Sequence, residues 1–276
     1  MTTPLRSLSL AHATLLDLSP HELIRVAAAT GYSMVGLRLI PIDRPGEPRH
    51  LLPAGGSAMH DVKQLLADTN IRVLDVEVAI IREGVNPRDY LPMLEASAEL
   101  GATYLLTNVY TTDRGAAVEG LRTLCDLSAP FGLAPVVEFV SFSAVPALAD
   151  AVDLMEAAGR PEVGILFDML HFHSTHGTPA DLARLPAGRL AYVHMDDGPR
   201  EVPATIEELR RIAREARLLP GEGGADFAGV IPLLPAHVPY AVEVTNPARA
   251  REMGAEAYAR LGFEMTERCL QTFRRT

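Results

Sequence analysis

Four apolar runs in the second half of the chain each end on a group that can take a proton or hold a cation. Val136-Val137 leads to Glu138, Leu166-Phe167 to Asp168, Tyr192-Val193 to His194, and Ala241-Val242 to Glu243. One such residue after a hydrophobic run is ordinary. Four in succession, brought to one place, would be costly to bury unless paired or bound to a cation. Three carboxylates gathered at one point repel one another, and a divalent cation removes that repulsion. Glu138, Asp168, His194 and Glu243 therefore read as a metal set of three carboxylates and one imidazole. Such a set suits Mn²⁺ or Mg²⁺ best, and Co²⁺, Fe²⁺ or Zn²⁺ can also be accommodated.

For these groups to meet, the runs that carry them must be parallel strands opening at one mouth. Short apolar, β-branched runs at 7–15, 32–39, 72–79, 103–109, 134–140, 163–167, 190–195 and 240–244 read as eight strands. Helical periodicity separates them at 20–30, 57–68, 87–100, 116–129, 145–158, 179–185, 205–216 and 255–273. Ser19 stands as the N-cap of the first helix and Gly31 as its stop. Strict alternation calls for right-handed crossovers between parallel strands. Eight such units call for an α/β fold of the (β/α)8 TIM-barrel type, a single domain over residues 1–276. An open dinucleotide-binding sheet would need a Gly-rich first turn, and His12-Ala13-Thr14-Leu15-Leu16-Asp17 has none. Two long loops, 40–56 and 218–226, are placed to cover the mouth.

Composition narrows the partners. A chain of 276 residues, 48% hydrophobic, can bury a large core without disulfides or structural metal. Its net charge of −10 offers no basic footprint, so nucleic acid is not expected as a partner. Cys125 and Cys269 are far apart in sequence and form no C-x-x-C, so they read as two free thiols. The N-terminal ten residues carry no signal-peptide run, and no stretch approaches the ~20 apolar residues that span a bilayer. The expectation is a cytoplasmic protein without a membrane partner, acting on a small molecule.

The order and spacing of the four groups resemble those of the xylose isomerase-like TIM-barrel superfamily, in its sugar phosphate isomerase/epimerase group. The resemblance implies one divalent metal held by residues of the fifth to eighth strands, matching Glu138, Asp168, His194 and Glu243. It implies a His three residues after the Asp, matched by His171, and an Arg six after the strand-seven His, matched by Arg200. The segment Pro220-Gly221-Glu222-Gly223-Gly224-Ala225-Asp226-Phe227 is similar to the family's Gly-rich loop. One feature departs. Ketose 3-epimerases of this group often carry a further Glu soon after the fifth-strand ligand, and Phe139-Val140-Ser141-Phe142-Ser143-Ala144 has none. No particular sugar therefore carries over. Members are often dimers or tetramers. An apolar stripe on the last helix, Ala257, Leu261, Met265 and Leu270, can serve a homodimer or homotetramer or pack on the barrel.

The chemistry expected of such a site is proton transfer beside a carbonyl, with Glu138 and Glu243 as the catalytic carboxylates on opposite sides of the substrate carbon. Return of the proton to the other face gives epimerisation, and return to the neighbouring carbon gives isomerisation. Loss of a β-hydroxyl gives dehydration, so a lyase on a cyclic keto-polyol or keto-acid is the alternative. A non-catalytic barrel that binds a sugar or a partner is the second alternative. An endonuclease IV-like barrel would need more His ligands and a basic face. Candidate substrate contacts are His171, Arg200, Glu77, His12 and Asn108, with Arg38 near the end of the second strand. His171 can instead orient Asp168, Arg200 can sit in a surface ion pair, and Asn108 can cap its loop. His173 and His176 read as solvent-facing. No Gly-rich phosphate loop is visible, which favours a substrate without phosphate.

Overall fold

Each apolar run pairs in parallel with its neighbours in sequence order, and the last run pairs with the first. The computed structural model describes residues 8–42 and 46–273. In chain order the elements are β1 (Leu8–Leu10), α1 (Pro20–Thr30), β2 (Met34–Arg38), α2 (Ser57–Thr69), β3 (Arg72–Ile81), α3 (Leu91–Glu99), β4 (Tyr104–Val109) and α4 (Arg114–Ser128). There follow β5 (Ala134–Glu138), α5 (Leu148–Ala158), β6 (Gly164–Asp168), α6 (Met169–Ser174), β7 (Leu190–Met195), α7 (Ile206–Glu215), α8 (Phe227–Val230), β8 (Tyr240–Val242), α9 (Pro247–Met253) and α10 (Ala255–Phe273). The result is a closed eight-stranded barrel, β1 to β8 in order, with helices around it.

Local signals set several boundaries. The Ser19 side chain accepts from the Glu22 N–H, and the Glu22 carboxylate accepts from the Ser19 N–H, which starts α1 as a capping box. Gly31 ends that helix at φ +98°. The first expected strand is shorter than its apolar run. Residues His12–Leu15 form a 3-10 turn, and Ser7 lies outside the described residues. The helix expected over 87–100 divides into a 3-10 turn at Pro87–Tyr90 and α3, and the one at 179–185 is a 3-10 helix, Pro179–Arg184. Helices α6, α8 and α9 run 6, 4 and 7 residues, too short for a periodic pattern to reveal them. Of the 40–56 loop, residues 43–45 lie outside the described residues.

Two apolar layers hold the barrel. Met34, Leu74, Leu106, Val136, Leu166, Tyr192 and Ala241 fill its interior. A larger cluster, including Leu8, Leu37, Val76, Leu105, Val137, Phe167, Val193 and Val242, packs the strands' outer faces on the helices. Fully burying each such side chain contributes about 1.5–3 kcal/mol. On α10 the buried line is Tyr258, Ala259, Gly262, Thr266, Cys269 and Leu270. Of the proposed interface stripe, Leu270 is buried, Leu261 and Met265 lean on the core, and only Ala257 is exposed. Cys125 and Cys269 are free and buried, and burial pushes both thiols up to about 12. No described helix is long and apolar enough to cross a membrane.

Candidate metal centre and its cavity

Strand register brings the four groups to one level. Asp168 on β6 pairs directly with His194 on β7. Glu138 pairs with Leu166, two residues before Asp168, and His194 pairs with Ala241, two residues before Glu243. Strand side chains alternate faces, so each two-residue step returns to the barrel interior, where Leu166 and Ala241 already point. Apolar interior below and ligands above follow from the same period of two.

One ligand atom from each of Glu138, Asp168, His194 and Glu243 lies within 4.8 Å of the other three, and all four residues are buried. The Nδ1 of His194 is 3.2 Å from Glu243 Oε2, 3.5 Å from Glu138 Oε1 and 3.5 Å from Asp168 Oδ2. It makes no hydrogen bond to any of them. Ligand atoms held ~2.0–2.2 Å from one cation stand about 3.0–3.5 Å apart, which matches this spacing. Burial opposes charge on the His194 ring, but Glu243, Asp168 and Glu138 override it and push the imidazole well above its ordinary value. A field that strongly favours a proton there also favours a divalent cation. The residues fit such an ion.

Arg217, which no sequence motif marks, is buried against the cluster. Its Nη1 donates to Asp168 Oδ2 at 2.8 Å and contacts Asp196, and its Nη2 lies 2.8 Å from Glu243 Oε2. Its Nε donates to the Ala213 carbonyl, fixing the guanidinium plane. Burial raises the Glu243 carboxyl, yet Arg217 and His194 hold it down at about 2. Asp168 is likewise opposed by burial and held well below its ordinary value by His171, Arg217 and His194. Asp196 goes the other way, raised by burial and by the charge of Asp168.

The neighbouring Asp197 explains the Gly-rich loop. Its carboxylate accepts from the N–H groups of Gly198, Gly221, Gly223 and Ala225. The backbone nest is thus filled by the chain's own anion. A Cβ on Gly223 would run into the Gly198 carbonyl oxygen, so the close approach requires glycine there.

The expected substrate contacts divide. Asn108 donates from Nδ2 to Glu138 Oε2 at 2.7 Å and lines the cavity above the cluster, so it orients Glu138. His171 also lines the cavity. Its backbone N–H, not its ring, donates to Asp168 Oδ1, because Asp168 is the N-cap of α6. The His171 Nδ1 meets Ser141, at 3.4 Å from its N–H and 3.1 Å from its hydroxyl. Three expectations need correction. His12 is buried with both nitrogens engaged: Nδ1 accepts from the Arg38 N–H and Nε2 bonds the Leu18 carbonyl. It has no free nitrogen for a substrate, and burial lowers it to about 3. Glu77 is bonded twice by the Arg38 side chain and once by the His12 N–H, and does not line the cavity. Arg200 is exposed and outside the lining, because the chain turns outward at Gly198-Pro199. Arg217 is the arginine at the cluster. Gly36 makes room for the carboxylates beside it: a Cβ there would stand 2.8 Å from Asp75 Oδ1 and 3.1 Å from Glu77 Oε1.

The cavity has a volume of about 520 Å³ and opens at the C-terminal ends of the strands. Glu138 and Glu243 reach its floor, and Val78, Ile80, Leu106, Val140 and Phe142 supply apolar wall.

A scan against family models gives the kinship. The xylose isomerase-like TIM barrel model matches residues 24–269. The chain belongs to this family. Among solved structures, that of the IOLI protein with a binding zinc atom superimposes with a TM-score of 0.81 at 18% identity, covering 98% of this chain and 100% of that one. Inosose isomerase of Bacillus licheniformis is 29% identical over 149 residues, 50% of this chain and 51% of that protein. The chain thus spans about half the length of the curated inosose isomerases it matches. The 3-dehydroshikimate dehydratase of Pseudomonas aeruginosa is 28% identical over 236 residues, 81% of this chain and 35% of that protein.

Proposed function

We propose that this protein is a divalent-metal-dependent isomerase or epimerase, moving a proton next to the carbonyl of a sugar, keto-polyol or related hydroxy-carbonyl compound. The observation that carries the reading is the pair Glu138 and Glu243. Both are buried, both line one cavity, and both face the same His194 nitrogen. Glu138, Asp168, His194 and Glu243 would hold the ion, and Mn²⁺ or Mg²⁺ suits their oxygen-rich set. When bound, such an ion would supply Lewis acidity at the substrate carbonyl and so make the neighbouring C–H more acidic.

The protein's own groups do the rest. Glu138 accepts its hydrogen bond from a neutral amide, that of Asn108, whereas Glu243 is held as an anion by Arg217. A carboxylate tied to a guanidinium is the poorer proton acceptor, so Glu138 takes the first proton. Glu243 faces the same space and serves the return. The His171 ring and Asn108 amide position substrate oxygens at the wall. The apolar residues of the cavity limit water around the reacting carbon. A dehydratase using the same residues is the second reading. It is favoured by the 81% of this chain that aligns with the 3-dehydroshikimate dehydratase.

The test is proton exchange. The Mn²⁺-loaded protein is incubated in D₂O with ketoses, inosose and 3-dehydroshikimate, and deuterium uptake and water loss are followed by NMR. Turnover in the wild type should fall about 10²–10⁴-fold in Glu138→Gln. Undiminished turnover in both Glu138→Gln and Glu243→Gln would remove the carboxylates from the mechanism, and absence of turnover in the metal-loaded wild type would favour a binding barrel.

A further inference from the structure

The face of α7 that looks into the cavity carries positive charge that the cluster does not use. Arg210, Ala213 and Arg214 line the cavity at helical spacing, so one face of the helix turns inward, and Arg217 follows just beyond its end. Arg217 is occupied by Asp168, Asp196 and Glu243. Arg38, another lining residue, is occupied by Glu77 and Glu47. Arg210, Arg214 and the lining Arg82 are different. Among the described residues, none of these three has a carboxylate oxygen within 4.0 Å. Arg211, one position away, turns outward and pairs with Glu208 at 2.7 Å.

The inward pair is held in place. The guanidinium carbons of Arg210 and Arg214 each stand 5.5 Å from the centre of the Phe142 ring. The Tyr110 phenol lies beside both. Arginines at a helix surface gain hydration by turning outward, and stacking on one aromatic ring keeps their planar forks aimed at the cavity. Ala213 between them has no bulk to fill the space in front. Arg210 and Arg214, half-buried in a partly apolar space, attract and bind an anion more strongly than exposed cations do, and Arg82 lines the same cavity from an exposed position. This holds although the whole chain is acidic, with net charge −10.

We propose that the substrate carries an anionic oxygen group, a carboxylate or a phosphate, bound by Arg210 and Arg214 together with Arg82. Its hydroxy-carbonyl end then meets Glu138 and Glu243 at the floor. A cavity of about 520 Å³ holds a single ring with such a substituent. The proposal rests on the catalytic reading above and narrows its substrate class to acids. It also assigns these arginines to specificity: they touch the substrate away from the reacting carbon.

The experiment uses calorimetric titration of the full chain after EDTA treatment, at low ionic strength. The probes are inorganic phosphate, 3-dehydroshikimate as a carboxylate, and inosose as an uncharged control. Wild type should bind at least one anion saturably. In Arg210→Gln/Arg214→Gln, and separately in Arg82→Gln, that affinity should fall about ten- to hundredfold, while inosose binding stays unchanged. Binding of 3-dehydroshikimate alone assigns a carboxylate, and binding of phosphate alone assigns a phosphorylated substrate. Absence of anion binding in wild type, or equal affinity in folded variants, overturns the proposal. Folding is checked by circular dichroism, and Arg82→Gln, on a different element, keeps the test open if the double variant misfolds. Metal content is measured in parallel by elemental analysis. A wild type that takes up no divalent metal while still binding anions through these arginines would sink the catalytic reading and leave the anion site standing.

Discussion

Arg217 reaches across the mouth of the barrel and donates to Asp168 at 2.8 Å, joining the end of α7 to the end of β6. The same guanidinium meets Asp196 and Glu243. One cation therefore stabilises a group of carboxylates that would otherwise repel, and it does so from within the protein.

Arg217→Met should expose that dependence. It leaves Asp168 and Glu243 buried without their cation, a loss of about 3–5 kcal/mol. Urea unfolding in EDTA should show the full loss, and saturating Mn²⁺ should recover part of it by restoring positive charge. Arg217→Lys should fall between, because a point charge cannot bond three carboxylates at once. Equal stability of wild type and Arg217→Met in EDTA would mean that the network contributes nothing.

Metal should stabilise the fold through the cluster. At a free metal concentration a hundred times Kd, one site adds about 2.7 kcal/mol. Elemental analysis of wild type should find about one divalent ion per chain. Asp168→Ala/Glu243→Ala should lose both the ion and the rise in unfolding midpoint. Retention of bound metal by the double variant would place the site elsewhere.

His12 makes acid unfolding measurable. Its folded value is depressed to about 3 from 6.5, so the unfolded chain binds the extra proton. Its contribution is complete above pH 6.5 and is lost as pH falls toward 3. Between pH 7 and pH 5 the loss is about 2 kcal/mol. His194 has the opposite sign, since its folded value is raised: its share is present below 6.5 and fades as pH rises through the folded value. Comparison of wild type with His12→Gln isolates the first effect, and the variant should show a flatter slope from pH 7 to 5. Parallel slopes would show that His12 is not buried in its neutral form.

The Gly-rich loop should depend on Asp197. Asp197→Asn replaces one accepting oxygen by a donor facing backbone N–H groups and leaves buried donors unpaired, at about 1–3 kcal/mol. Gly223→Ala should cost a similar amount through its clash with Gly198. Limited proteolysis within 218–226 should speed up in both variants. Unchanged cleavage would mean that the loop is held by something other than Asp197.

Much of this protein was legible before its structure. Strand and helix periods, the N-cap Ser19 and the stop at Gly31 are local signals, and local signals specify local conformation. Alternation repeated eight times leaves the barrel as the closed solution. Because side chains of a parallel strand alternate faces, a ligand two residues past an apolar interior residue must also face the interior. That places Glu138, Asp168, His194 and Glu243 together once the register is known. Arg217 was not legible, because it follows a helix with no motif around it and sits 49 residues from the Asp168 it bonds. His12 lies just past the end of β1 but Glu77 falls mid-way along β3, which runs on to Ile81, and the backbone and Arg38 take up their polar atoms. Arg200 has the expected spacing, but the turn before it sends it to solvent. Periodicity is a property of neighbours in the chain, and the sequence determines it directly. Which distant groups satisfy one another is decided only when the barrel closes, because closure alone sets which side chains compete for the same buried partner.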